Sequence, residues 1–136
     1  MAVFNKFDCF VENVAEKVHN LGSDQLTLAL TNSAPVAGNT VLANITEVTY
    51  TNLSTRNLTT SASSQTSGLY KLVVADTTLT STGGSTGPFQ YVVVYNSTAA
   101  GGPLMGWYDY ASALTLASGE SLTVDFDQVN GLLTIQ

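Results

Sequence analysis

Phe89-Gln90-Tyr91-Val92-Val93-Val94-Tyr95 is the stretch whose reading decides the fold. Six of its seven residues are aromatic or β-branched, the side chains that suit a pleated backbone. With almost no polar position to turn toward water, the run reads as a strand buried on both faces, at the centre of a sheet. Gly83, Gly84, Gly87 and Pro88 mark a flexible connection before it, and Ser97 to Pro103, with Gly101 and Gly102, turns the chain after it.

Downstream, Leu104 to Tyr110 and Leu114 to Ala117 read as further strands. Ser118 and Gly119 make a turn, and Leu122, Val124 and Phe126 then alternate with Thr123, Asp125 and Asp127. Asn130-Gly131 is a type I′ hairpin signal, which sets Val129 opposite Leu132 and Phe126 opposite Ile135. Upstream, Leu69 to Thr80 predicts one long strand or two with a kink at Asp76. Leu53 to Ser64 is polar and threonine-rich, as expected of an exposed or edge strand whose Arg56 discourages further pairing. Ile45, Val48 and Tyr50 suggest extended structure, and Asn32 to Asn39, with Pro35 and Gly38, a loop. From Gln25 to Thr31 the leucines at 26, 28 and 30 alternate with Thr27, Ala29 and Thr31, the pattern of a half-buried strand.

Phe4 to Gly22 has a different period. Phe7, Phe10, Val11, Val14, Val18 and Leu21 recur at helical spacing, with most polar residues on the opposite face. Asn5 is placed to cap this helix and Gly22 to end it in a left-handed conformation. Phe7, Val11, Val14 and Val18 are expected in the core, since each such side chain gains about 1.5–3 kcal/mol on burial. Val3 and Phe4 are reserved as contacts to another chain. One helix (4–22) followed by roughly seven to nine short strands (25–136) predicts a single mainly-β domain, an antiparallel sandwich or jelly roll spanning 1–136.

Composition narrows the function classes. The chain has 136 residues, enough for a core without metal or disulfide staples. Lys6, Lys17, Arg56 and Lys71 face ten acidic residues, for a net charge of -6, so no basic patch is expected to track nucleic-acid phosphates or an anionic membrane. No apolar run suits a signal peptide or a membrane span. Cys9, alone, excludes an internal disulfide and reads as a small helix residue. The Asn-X-Ser/Thr triplets at Asn44, Asn52, Asn57 and Asn96 read as accidents of a threonine-rich composition.

Chemistry-bearing constellations are sparse. His19 is the sole histidine, read as a surface residue favoured by the helix dipole rather than as part of a triad or metal cluster. Asp125 and Asp127 share a strand face and would need a third acid to hold Ca²⁺; a solvated face is the expectation. Asp109 and Glu120 lie in no glycosidase-like motif, and Gly83-Gly84 lacks the lysine of a phosphate loop. No enzyme and no cofactor are expected. Trp107, Tyr108 and Tyr110, with Tyr91 and Tyr95, are the candidate binding residues, since aromatic rings anchor interfaces and stack on sugars. By strand alternation Trp107 points opposite to Tyr108 and Tyr110, so one set faces outward unless both faces are covered.

Met1-Ala-Val-Phe-Asn-Lys-Phe7, Val11 to Leu21, Leu28-Ala-Leu-Thr-Asn-Ser-Ala-Pro35, Gly106-Trp-Tyr-Asp-Tyr110 and the end from Leu114 through Asn130-Gly131 together resemble small structural proteins of tailed bacteriophages, specifically capsid decoration (cement) proteins of jelly-roll type. The resemblance implies a non-enzymatic virion protein, made in the host cytoplasm, that binds the capsid exterior. Its partners would be the major capsid protein and copies of itself, as a dimer or trimer. The family has no active-site residues to transfer; Val3, Phe4, Trp107, Tyr108 and Tyr110 are the expected interface. A head-fibre or tail component that binds a receptor or carbohydrate through exposed aromatics is the alternative.

Overall fold

The computed structural model describes residues 2–136. Its elements are β1 (Phe4–Lys6), α1 (Cys9–Ala15), β2 (Leu26–Thr31), a 3-10 turn (Leu42–Asn44), β3 (Thr60–Thr66), β4 (Leu69–Val74), β5 (Thr77–Thr80), β6 (Thr86–Asn96), β7 (Leu104–Leu116), β8 (Ser121–Val124) and β9 (Leu133–Ile135). The fold is mainly β and every strand pairing is antiparallel. Four strands form a sheet in the order β1-β7-β6-β2, beside a sheet β3-β4-β9 and a pair β5-β8.

The apolar run at 89–95 lies in β6, between β7 and β2, as its composition demands. Val92, Val93 and Val94 are all fully buried, because both faces of the four-stranded sheet are covered. On one face Val92 and Val94 join Leu26, Leu28 and Leu30 of β2 and pack on Leu72 and Val74 of β4, Leu79 of β5, Val124 of β8 and Phe126. This is the sandwich core. On the other face Val93, Tyr95, Ala29 and Leu104 are roofed by Phe7 and Ile45, with Cys9, Leu42 and Trp107 against them. Double coverage also explains β2, where all six residues are buried although the alternation predicts one wet face.

The free edge of β2 is closed by the extended segment after it. Val48 N donates to Leu30 O, Leu28 N to Arg56 O and Leu58 N to Leu26 O, each at 2.9 Å. Arg56 therefore holds an edge together and does not act as a gatekeeper against pairing. Its guanidinium donates to Leu28 O, lies 3.7 Å over the Tyr50 ring and approaches Glu47 at 3.8 Å.

Three local expectations are corrected. The helix does not run from 4 to 22: Phe4–Lys6 is a strand paired with β7, and α1 occupies only Cys9–Ala15. Asn5 is thus not its cap, and the left-handed residue that ends it is Lys17 (φ 65), five positions before Gly22. Of the residues expected in the core, Phe7 is fully buried and Val14 half-buried, whereas Val11 (56% exposed) and Val18 (36%) face outward; Phe10, on the same periodic stripe, is buried in the sandwich core. The shortened helix cannot carry the whole periodic stripe.

Asn130-Gly131 does not make a hairpin either. Asp127 Oδ1 accepts from Val129 N and Asn130 N, Oδ2 accepts from Asn130 Nδ2, and Gly131 N donates to Asp127 O. This side-chain-capped turn sends β9 across to pair with β4 instead of back along β8. Gly131 is needed there, because its φ is 86° and a Cβ would lie 2.7 Å from Leu72 O. Those contacts with Asn130 and Val129, helped by Lys71, hold the Asp127 carboxyl below its ordinary range.

Other expectations hold. The 69–80 stretch is two strands interrupted at Asp76, which accepts from Phe126 N at 2.8 Å. The polar strand β3 is a sheet edge. By contrast, Leu104 to Tyr110 and Leu114 to Ala117, expected as two strands, lie in the single strand β7 (Leu104–Leu116), which has a left-handed residue at Ala111 (φ 66).

Candidate functional site

The structure divides the predicted binding residues rather than gathering them. Val3 is 75% exposed, as expected of an outside contact. Phe4 is half-buried over Tyr108, their ring centroids 5.2 Å apart, and Tyr108 in turn meets Phe126 edge-on at 5.9 Å. Tyr108 is only 5% exposed, so it belongs to the sandwich core and offers no platform to a ligand. Burial accordingly pushes its phenol pKa well above the ordinary value, with Tyr110, Asp125 and Asp127 adding to the rise.

Trp107 points to the other face, as alternation predicts, and lies on Phe7 with centroids 4.6 Å apart. Neither ring set faces outward as a whole, because both faces are covered. Tyr110 is half-buried against the sandwich core, and burial, then Asp125, raises its pKa. Phe4 reaches Tyr108 because residue 106 is glycine: a Cβ there would strike the Phe4 ring and lie 2.6 Å from Asn5 O.

The carboxylates considered from sequence serve the backbone. Asp109 Oδ1 accepts from Gln90 Nε2 at 2.9 Å and from Ala111 N at 2.7 Å, and these bonds lower its pKa. Glu120 Oε2 accepts from Ala117 N at 2.8 Å. Among the described residues no three His, Cys, Asp or Glu side chains are grouped to hold a metal ion. Cys9 is half-buried with its thiol near the carbonyls of Asn39, Thr40 and Leu104, and burial raises its pKa. No helix among the described residues is long and apolar enough to cross a membrane.

A recess lies elsewhere, where the segment after α1 meets β3, β4 and β9. It is an open groove of about 480 Å³ lined by Val14, Lys17, His19, Asn20, Leu21, Gly22, Ser63, Tyr70 and Ile135. Val14, Leu21, Tyr70 and Ile135 make it largely apolar, and Lys17 gives it one cation. Ser63 and Tyr70 bridge neighbouring strands through their hydroxyls at 2.8 Å.

His19 contradicts its reading as a surface residue. It is 6% exposed, lies beside Phe10 with ring centroids 5.6 Å apart, and contacts Asn96 at the end of β6. Burial lowers its pKa against the opposing pull of Asp24. Nothing local in the sequence signals this site, since its parts come from segments far apart in the chain.

No family model matches the chain, and no curated protein or solved structure does either.

Proposed function

We propose that this chain is a virion structural protein that binds the outside of a phage capsid and stabilises it by bridging neighbouring subunits of the major capsid protein. It acts as a homo-oligomer, a dimer or trimer, without catalysis and without nucleic-acid or membrane binding. The sequence resemblance motivates the reading, and one geometric observation carries it furthest. The described surface carries exposed apolar side chains, Val3, Val11, Val18, Val36, Leu69, Val129 and Ile135, and an open groove that Ile135 helps to line. Small-molecule sites are instead usually enclosed recesses with a few converging polar groups.

Several exposed apolar side chains of this kind suit attachment to a lattice. Each is weak, but several engaged at once hold by effective concentration, and binding the assembled shell stabilises it by mass action. The doubly covered sheet supplies a stiff body between attachment points. Val3, beside the edge strand β1, is the proposed self-contact, in keeping with a symmetric interface. The receptor- or carbohydrate-binding alternative is weakened by the burial of Tyr108 and Tyr95; the other candidate rings, Trp107, Tyr110 and Tyr91, are half-buried.

Locating the labelled protein on purified particles tests the proposal. Label distributed over the head at regular lattice positions is expected; label confined to the tail contradicts it.

A further inference from the structure

His19 and Asn96 are 77 positions apart, yet Asn96 is fully buried and its Nδ2 lies 3.1 Å from His19 Nδ1. The same Nδ2 lies 2.6 Å from Asp24 Oδ2, which also accepts from Asn20 N at 2.8 Å. An amide nitrogen has two hydrogens to give and nothing to accept with, so His19 Nδ1 is an acceptor. The amide cannot turn over, because its Oδ1 accepts from Thr98 N at 3.0 Å and Ala99 N at 3.1 Å. The network therefore assigns the imidazole as neutral, with its hydrogen on Nε2. That Nε2 is buried and has no hydrogen-bond partner among the described residues.

We propose that His19, Asn96 and Asp24 form an acid-sensitive latch, which fastens the segment after α1 to the β6–β7 connection while His19 is neutral and releases it when His19 takes up a proton. A proton on Nδ1 would face the amide hydrogens of Asn96, so an attractive contact becomes a repulsive one. The cation gains no compensating acceptor at Nε2. Every element around the ring bears on this balance. Among the described residues Asp24 is the anion that favours the proton, and Lys17 is the cation on the groove wall. Tyr70 of β4 is neutral, and Phe10, Ser63 and Ile135 bring no charge.

Because the folded ring titrates below its ordinary 6.5, the latch is fully closed above that pH. Its contribution is lost as pH falls from 6.5 toward and through the folded value. Release frees the 20–24 turn, where Ser23 N and Asp24 N donate to Asn20 O, and opens the groove wall formed by 17–22. The inference rests on this network alone and is independent of any capsid role.

Two measurements test it on the whole chain. In wild-type protein, the His19 ring nitrogens followed by NMR should show the Nε2–H tautomer and a midpoint below 6.5. Amide exchange of the 20–24 turn, corrected for intrinsic rates, should show opening that increases up to about tenfold per pH unit below 6.5, the slope of one proton. His19→Asn keeps an acceptor for Asn96 but does not titrate, and should remove that dependence. A midpoint at or above 6.5, the Nδ1–H tautomer, or the same pH dependence in His19→Asn overturns the latch. Should His19→Asn fail to fold, the wild-type titration and tautomer decide alone.

Discussion

Gly106 shows how much of this surface depends on a single missing side chain. Its absent Cβ lets Phe4 lie on Tyr108 and lets β1 close onto β7, with Lys6 opposite Gly106. Gly106→Ala should displace the Phe4 ring and loosen β1, at a cost of about 1–3 kcal/mol, the usual range for overpacking. Urea unfolding measures the loss, and the Phe4 ring resonances report the displacement. Unchanged stability and resonances would show that β1 is not held this way. The motif Gly106 to Tyr110 was legible in sequence as aromatic, but not the destination of each ring. Tyr108 and Trp107 alternate as strand geometry requires; what periodicity does not reveal is that Phe7 and Ile45 roof the second face.

At the scale of elements, α1 is a short turn of helix between two constraints. β1 pairs with β7 just before it, and Lys17 takes a left-handed conformation just after it. Such a conformation strains a residue with a side chain by about 1–2 kcal/mol, less the extra chain entropy that glycine loses on folding. Lys17→Gly should therefore raise the unfolding free energy by about 0.5–1 kcal/mol in thermal or urea denaturation. A decrease would mean that the Lys17 side chain contributes more to the groove than its backbone strain costs.

The helical period was real only in part over Cys9–Ala15, where Phe10 is buried and Val14 half-buried but Val11 on the same stripe is exposed. Its extension to 4 and 22 failed because strand pairing and an early left-handed stop are decided by partners distant in the chain. Asn130-Gly131 failed for a related reason. Asp127 captures the turn amides locally, and β4 offers β9 a better edge than β8 does. By contrast, β2, the break at Asp76 and the centre of β6 were readable, since their signals are local and continuous. The His19–Asn96–Asp24 contact was not, because no periodicity links residues 24 and 96.

For the whole molecule, the four-stranded sheet is covered on both faces, the chain is acidic, and several apolar side chains remain exposed. Among the described residues the one ion pair is Arg56–Glu47, and it serves the β2 edge rather than a partner. A protein of this form would strengthen a shell by engaging several subunits at once. The direct measurement is the heat and osmotic resistance of particles assembled without this protein, before and after purified protein is added back. The account predicts that particles lacking it break at lower temperature or milder osmotic shock, and that adding it back restores resistance in a saturable way. Equal resistance with and without it would contradict the proposed cementing role.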